Sequence, residues 1–123
     1  MHHSRLCTFV LDCKVEDLPA AAEFWSKALG KPAFSTEDEK YFELRTEDDE
    51  PILLIQKVEH ESRVHLDIEA DDIDAEVARL EQLGAKQMDR VKGWVVMEAP
   101  SGHRFCVVRK QRPEFGPHLN EWK

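Results

Sequence analysis

Two segments of the chain place their apolar residues three or four positions apart, which is the spacing of one face of an α-helix. The two sets are Leu18, Ala22, Trp25, Leu29 and Ile73, Val77, Leu80, Leu83. Asp17 and Asp72 directly precede these segments and are suitable N-cap residues, because an aspartate oxygen accepts hydrogen bonds from free backbone N–H groups. The pattern therefore predicts two amphipathic helices.

The same pattern predicts where the helices end and which side of the second one faces water. Gly30 and Gly84 each follow the last apolar residue, and glycine readily adopts the left-handed conformation that terminates a helix. Glu76, Arg79 and Glu81 fall opposite the apolar face of the second segment. We expect these three side chains to be solvated.

Shorter runs of apolar residues between turn-forming residues predict strands. Each half of the chain begins with a strand, of which one contains Cys7 to Cys13 and the other Val64 to Ile68. The strands predicted after the helices span residues 33–35, 41–45 and 52–56 in the first half, and 86–89, 94–98 and 104–109 in the second. Each half is predicted to have the order β-α-β-β-β.

The two halves also share a sequence register. Phe9 to Cys13 aligns with Val64 to Ile68 at an offset of 55, and at this offset both helix caps and both apolar stripes coincide. An internal repeat predicts two copies of one structural unit. We predict a single domain over residues 1–110, with module one at about 5–58 and module two at about 62–110. The C-terminal tail, 111–123, is expected to pack on the body or on a partner subunit, and a disordered tail is the alternative.

Composition narrows the class of protein. The chain has 123 residues and a formal charge of −8, so phosphate backbones and anionic lipids repel it, and we expect neither nucleic-acid nor membrane binding. No apolar run is long enough for a signal peptide or a membrane span, which indicates a cytoplasmic protein. The three cysteines lack the spacing of a zinc site and are interpreted as reduced, buried thiols.

A single helix covers only one face of a four-stranded sheet. Two such modules can pair so that their helices lie outside and their uncovered sheet faces curve around a cleft. The predicted fold class is therefore α+β, with two tandem βαβββ modules pairing their sheets around a cleft. Such a cleft is the usual place for a small ligand.

Three segments resemble the vicinal oxygen chelate superfamily, which includes glyoxalases, bleomycin-resistance proteins and ring-cleaving dioxygenases. They read DLPAAAEFWSKALG, HLDIEADDIDAEVARLEQLGA and EAPSGHRFCVV. The resemblance covers about residues 5 to 110. It implies a paired-module fold with a cavity and often a homodimer. In many members of the superfamily, His and Glu residues from both modules hold a divalent metal in that cavity.

The metal ligands of the superfamily are incomplete here. The histidine of the second module matches His65, but its counterpart in the first strand is Val10, and the glutamate of the last strand falls on Cys106. The remaining glutamate position falls near Leu54 to Gln56, where there is no carboxylate. One histidine and one thiol do not form the oxygen-rich site that Mg²⁺, Mn²⁺ or Fe²⁺ prefers. We therefore predict that the metal site is lost and that no cofactor is bound.

Strand alternation indicates which side chains face the cleft. Asp12, His65 and Asp67 lie opposite the apolar side chains of their strands, and the repeat relates the two aspartates as a pair. Cys106 shares the cleft face of the last strand, and Trp94 could stack on a flat ligand. Each also has a purely structural interpretation: an aspartate bonded to loop N–H groups, an interior histidine, an inert thiol or a packed tryptophan.

Two functions from different classes fit these features. The first is a metal-independent protein that binds a small organic molecule, as the drug-sequestering members of the superfamily do, with Asp12, Asp67 and His65 supplying polarity. The second is a lyase or isomerase that acts on a small carbonyl compound, with His65 or an aspartate as general base and an unrecognised metal as a further option. A dimerisation module without a ligand is the third. In all three, the expected assembly is a homodimer.

Overall fold

The structure, a computed structural model, describes residues 1–112, 114–116 and 118–123. In this part of the chain two helices, α1 (Leu18–Leu29) and α2 (Ile73–Gln82), alternate with strands. The strands are β1 (His2–Cys13), β2 (Ala33–Ser35), β3 (Tyr41–Leu44), β4 (Ile52–Lys57), β5 (Arg63–Ala70), β6 (Lys86–Val91), β7 (Trp94–Glu98), β8 (Arg104–Arg109) and β9 (Asn120–Trp122). The prediction of an α+β fold with two βαβββ modules is confirmed. Within the tail, residues 113 and 117 lie outside the described residues.

The chain divides into two compact units, each of which contains one helix. The first unit comprises Thr8–His65, and the second comprises Met1–Cys7 together with Leu66–Lys123. β1 and β5 each contribute residues to both units. No helix in the described residues has the length and apolar content needed to cross a membrane.

In the first unit, the C-terminal half of β1 runs parallel to β4, which pairs antiparallel with β3, and β3 pairs with β2. Helix α1 covers one face of these strands. The buried core of this unit consists of Cys13, Leu18, Leu44 and Ile55. The side chains of Val10 and Asp12 point to the opposite sheet face, as strand alternation predicts.

In the second unit, β5 runs parallel to β8, followed by β7 and β6 in antiparallel order. The core beneath α2 consists of Ala70, Val77, Leu80, Val95, Met97 and Val107. Asp67 and Cys106 lie on the sheet face opposite this core. The short strand β9 pairs antiparallel with the first residues of β1, and His2 is opposite Trp122.

The helix caps have the chemistry that the sequence predicts. The side chains of Asp17 and Asp72 accept hydrogen bonds from Ala20 N at 3.1 Å and Ala75 N at 3.0 Å. Gly30 adopts the left-handed conformation with φ of 69°. Gly84 follows α2 at φ of 105°, also in the region that favours glycine, and Ala85 N closes the helix end with a hydrogen bond to Leu80 O at 3.1 Å.

Two expectations about the helix faces are wrong. Leu29 and Leu83, the last members of the two stripes, are 45% and 66% exposed, and they lie at the last position of α1 and at the C-cap of α2. Glu76, expected to be solvated, has no exposed surface. It is buried because His2, Ser4 and Arg79 surround its carboxylate and satisfy it with hydrogen bonds.

The parallel strand pairs differ in register between the two modules. Leu11 lies opposite Ile55, whereas the equivalent Leu66 lies opposite Phe105 rather than Val107, which the sequence repeat aligns with Ile55. The shift is two residues, so each side chain keeps its sheet face. Its consequence is that Cys106 lies opposite Asp67 and not opposite His65.

Candidate functional site

Asp12 and His65 form a hydrogen-bonded pair in the first unit. Asp12 lies near the end of β1 and His65 lies in β5, and His65 Nδ1 is 2.8 Å from Asp12 Oδ2. The Asp12 side chain is 2% exposed and that of His65 is 15% exposed. The structure thus brings together two of the residues that strand alternation predicts to face a ligand, although they are 53 positions apart in sequence.

Two further basic side chains approach the same carboxylate oxygen. His60 Nε2 and Arg63 Nε are each 3.8 Å from Asp12 Oδ2. Neither residue is among the site residues predicted from the sequence. A signal was available, because His60, Arg63 and His65 fall within one short run directly before and inside β5.

The second oxygen of Asp12 is in a different situation. Asp12 Oδ1 is buried, and it has no hydrogen-bond partner among the described residues. Buried carboxylate oxygens are normally hydrogen-bonded, because removing them from water without a partner costs free energy. The Asp12 carboxylate therefore has one oxygen bonded to His65 and one oxygen that can still accept a hydrogen bond.

The pairing also defines the chemistry of the imidazole. A carboxylate only accepts hydrogen bonds, so His65 donates from Nδ1, which leaves the lone pair of neutral imidazole on Nε2. This tautomer can accept a proton at Nε2 while Asp12 stabilises the resulting positive charge. The pair can thus bind a polar group or transfer a proton.

Cys13, which follows Asp12 in the chain, is not a candidate nucleophile. Burial, followed by the negative charge of Asp12, raises the pKa of the Cys13 thiol above its ordinary value. A thiol reacts as its thiolate, so this environment keeps Cys13 inert. Its side chain belongs to the core beneath α1.

Asp67 and Cys106 form a second pair of candidate residues, in the second unit. They lie opposite each other on β5 and β8, and their potential ligand atoms are within 4.8 Å of one another. His65 precedes Asp67 by two positions in β5 and has the same strand parity. Asp67 and Cys106 offer one oxygen and one sulfur donor.

This donor set differs from the divalent-metal site that the family resemblance implies. Val10 and Leu54, at two of the family positions, have no donor atom, and they lie opposite each other in β1 and β4. The amide of nearby Gln56 donates from Nε2 to the Tyr41 hydroxyl at 2.9 Å. The first module therefore contributes no ligand at these positions, and the residues do not fit the oxygen-rich site. A metal-free protein stays a prediction, which metal analysis tests.

Trp94 lies apart from the Asp12–His65 pair. It occupies the first position of β7, opposite Val91 and Val108, and is 40% exposed. Its ring lines a cavity of the second unit with a volume of about 920 Å³. The predicted site residues are thus found in different settings: Asp12 with His65, Asp67 with Cys106, and Trp94 at the cavity.

The chain belongs to a known family. A family model described as a glyoxalase-like domain matches residues 8–108, which includes both modules. The predicted membership of the vicinal oxygen chelate superfamily is confirmed by this match and by solved structures with the same fold. No curated protein is similar to the chain in sequence.

Three solved structures illustrate the shared fold. A hypothetical protein, BH1468 from Bacillus halodurans C-125, has a TM-score of 0.67 at 12% identity, over 90% of this chain and 97% of that one. Methylmalonyl-CoA epimerase from Mycobacterium tuberculosis has a TM-score of 0.58 at 17% identity, over 85% and 86% of the two chains.

The third structure is a larger enzyme. An extradiol ring-cleaving dioxygenase from B. fuscum has a TM-score of 0.60 at 23% identity, over 85% of this chain. The match covers 32% of the dioxygenase, so this chain corresponds to about a third of it. At these identities the three similarities establish the fold alone.

Proposed function

We propose that this glyoxalase-like protein binds a small organic molecule without a metal, through a hydrogen bond from the ligand to Asp12. The observation that carries the proposal is Asp12 Oδ1, which is buried and has no hydrogen-bond partner among the described residues. A buried acceptor in this condition costs about 1–3 kcal/mol. A ligand that supplies a hydroxyl or an amine proton removes that cost on binding.

The chemical class of the ligand follows from the same pair. Asp12 Oδ1 accepts from a donor on the ligand, and the His65 imidazole beside it adds to the polarity of the site. A compound with a hydroxyl or ammonium group is therefore favoured over a pure hydrocarbon. The overall charge of −8 adds a long-range preference for neutral or cationic compounds over anions at this site.

A thermal-shift screen of small hydroxylated and amine compounds tests the proposal. A compound at one hundred times its Kd stabilises the protein by about 2.7 kcal/mol, which is a clear rise in Tm. Asp12→Asn removes the charge at nearly constant shape, and we expect it to abolish the stabilisation by each hit. Glu43→Gln is the matched control, because it removes an exposed carboxylate from β3 in the same unit. Hits that stabilise Asp12→Asn as well as wild type, or no hits at all, would contradict the proposal.

The Asp12–His65 hydrogen bond favours a second candidate function, a lyase or isomerase of a small carbonyl compound. In this function His65 Nε2 removes a proton from the carbon next to the carbonyl, and the C–H electron pair forms an enolate. Asp12 stabilises the protonated imidazole through Nδ1–H. A proton delivered from water to the opposite face of the same carbon inverts the configuration there, which is an isomerisation.

Proton exchange in D₂O distinguishes this enzyme from a binding protein. An enzyme of this kind exchanges the carbon-bound proton of a carbonyl ligand for deuterium, which NMR detects as loss of one signal. His65→Gln should stop the exchange. His60→Gln is the control, because His60 lies 3.8 Å from the same carboxylate and is 43% exposed. Binding of a carbonyl hit without exchange would leave ligand binding as the function.

Two further features belong to the proposal. We propose a homodimer, which is supported by large exposed apolar side chains on β5, Val64 and Leu66. We also propose a cytoplasmic location, which is supported by three cysteines that are all free thiols.

A further inference from the structure

The second unit contains an open cavity of about 920 Å³ whose lining differs in charge from the molecule as a whole. It lies where the end of β5, the start of α2, the β6–β7 hairpin and the end of β8 meet. Asp12 and His65 are not among its lining residues. We propose that this cavity binds a planar organic anion, such as an aromatic carboxylate. The inference does not depend on the function proposed for the Asp12–His65 pair.

The carboxylates that line the cavity already have partners. Asp71 accepts from the backbone N–H and the Nδ1 of His3, each at 2.8 Å. Asp72 caps helix α2, and Asp74 Oδ1 forms an ion pair with Arg90 at 3.0 Å. These three acidic groups are thus committed to local hydrogen bonds and ion pairs.

The remaining cationic side chains of the lining do not form ion pairs within the described part of the chain. Lys92, Arg109 and Lys110 have no carboxylate within ion-pair distance among the residues that the structure describes. Four cationic side chains, including Arg90, face three carboxylates, in a protein with a net charge of −8. The cavity therefore attracts an anion locally, although the whole chain repels it.

Gly93, in the β6–β7 hairpin, leaves room for the guanidinium of Arg109 because it has no side chain. Gly93 has φ of 97°, and a Cβ atom at this position would lie 3.2 Å from Arg109 Nη2. The guanidinium thus lies directly against the glycine, in a place that a larger residue at 93 would crowd. A guanidinium presents two parallel N–H groups, which match the two oxygens of a carboxylate.

Two aromatic rings in the lining favour a flat ligand. Trp94 is 40% exposed, so part of its ring surface is open to stacking. Phe115 also lines the cavity, and Lys110 Nζ is 5.6 Å from its ring centroid. An aromatic anion satisfies both features, because its ring stacks on the indole while its carboxylate reaches Arg109 or Lys92. The cavity volume suits a ligand of about two fused rings.

Isothermal titration with three probes of one shape tests the proposal. The probes are 2-naphthoate, the neutral 2-naphthalenemethanol and the cationic 2-naphthylmethylammonium. We expect naphthoate to bind at least tenfold more tightly than the alcohol and the cation to bind most weakly. Equal affinity for the three probes, or no binding of naphthoate, would overturn the proposal.

Charge-removing variants locate the binding. The double variant Lys92→Gln with Arg109→Gln should weaken naphthoate binding at least tenfold and leave the alcohol unchanged, whereas Trp94→Ala should weaken both. The control removes the same charge from exposed positions of the first unit, by Lys27→Gln with Lys40→Gln. Circular dichroism and urea midpoints establish that each variant is folded. If the control variant weakens naphthoate binding as much as the cavity variant does, the net charge of the protein explains the effect and the proposal is overturned.

The Asp12→Asn variant separates the two sites. It should leave naphthoate affinity unchanged while it abolishes stabilisation by the hydroxylated and amine hits. Loss of naphthoate binding in Asp12→Asn would place this anion at the Asp12–His65 pair and would overturn a separate cavity site. Failure of the Asp12 proposal alone, with naphthoate binding intact, leaves the cavity site standing.

Discussion

Glu76 accepts four hydrogen bonds although it has no exposed surface. His2 Nε2 and Arg79 Nε donate to Oε1, each at 2.8 Å, and Ser4 Oγ and Arg79 Nη2 donate to Oε2 at 2.9 and 2.8 Å. A buried carboxylate is stable only when its oxygens are satisfied in this way. This one residue thus joins helix α2 to the beginning of β1.

Removal of this carboxylate should destabilise the protein strongly. Glu76→Ala leaves Arg79, His2 and Ser4 without their shared acceptor, and we expect a loss of roughly 3 kcal/mol in the free energy of unfolding. Urea denaturation measures it. Glu81→Ala, an exposed position of the same helix, is the control and should change stability by less than about 0.5 kcal/mol. A similar cost for both variants would mean that the hydrogen-bond cluster contributes little.

The same residue predicts acid sensitivity. Burial raises the pKa of Glu76, but hydrogen bonds from Arg79, His2 and Ser4 outweigh it and hold the pKa below its ordinary value of 4.5. The folded-state pKa is thus below the unfolded one, so the stabilisation is complete above about pH 4.5 and is lost as the pH falls through the folded value. Urea midpoints between pH 6 and pH 3 should decline, and the decline should be smaller in Glu76→Gln. An equal decline in both proteins would assign the acid sensitivity to other carboxylates.

At the scale of elements, β9 depends on one side chain. Trp122 donates from Nε1 to Ser4 Oγ at 2.8 Å, and the Arg79 guanidinium lies over its ring at 3.8 Å from the centroid. The strand itself has three residues, at the lower end of the range of strand lengths, so its backbone pairing with β1 is short. Side-chain contacts therefore hold β9 against β1.

Two substitutions separate the contribution of the Trp122 hydrogen bond from that of its ring. Trp122→Phe keeps a ring beneath Arg79 but removes the N–H donor, and we expect a loss of about 1 kcal/mol. Trp122→Ala removes both, and it should cost roughly 2–3 kcal/mol and increase hydrogen exchange of the β9 amides to rates typical of free chain. Slow exchange of these amides in Trp122→Ala would show that backbone pairing holds the strand without the tryptophan.

At the scale of the whole molecule, metal content separates the proposed binding protein from metal-dependent relatives. We expect purified protein to contain less than about 0.1 equivalents of zinc, manganese, iron or nickel by mass spectrometry, because the first module supplies neither a histidine nor a carboxylate at the family positions. A stoichiometric ion that disappears in Cys106→Ser and Asp67→Asn would contradict this expectation. It would assign the metal to the Asp67 and Cys106 donors.

The assembly is a second property of the whole molecule. Val64 and Leu66 share one face of β5 and are 52% and 40% exposed, so water contacts apolar surface that a second copy could cover. We expect light scattering to give about twice the chain mass of 14.3 kDa. Val64→Ser with Leu66→Ser should shift the mass towards the monomer, and Leu83→Ser, at an exposed helix end, should not. A monomeric wild type would contradict the proposed dimer.

The sequence predicts the local elements well, because their signals are local. The bounds of β2, β7 and β8 agree with those predicted. Both predicted aspartate caps are also present, because each side chain accepts a hydrogen bond from the backbone N–H three residues later. β1 begins at His2, well before the predicted strand, because its first residues pair with β9. That pairing joins the two ends of the chain, and no local pattern indicates it.

The sequence by itself determined the repeat, the α+β class and the sheet face of Asp12, Asp67 and His65, because helix and strand periodicity depend only on neighbouring residues. Tertiary structure alone decided that Glu76 is buried and that Asp12 meets His65 and not a loop N–H. It also decided which cations line the cavity beside Trp94. These outcomes depend on contacts between elements that are distant in sequence. The polarity of a side chain does not indicate which distant residue it will contact.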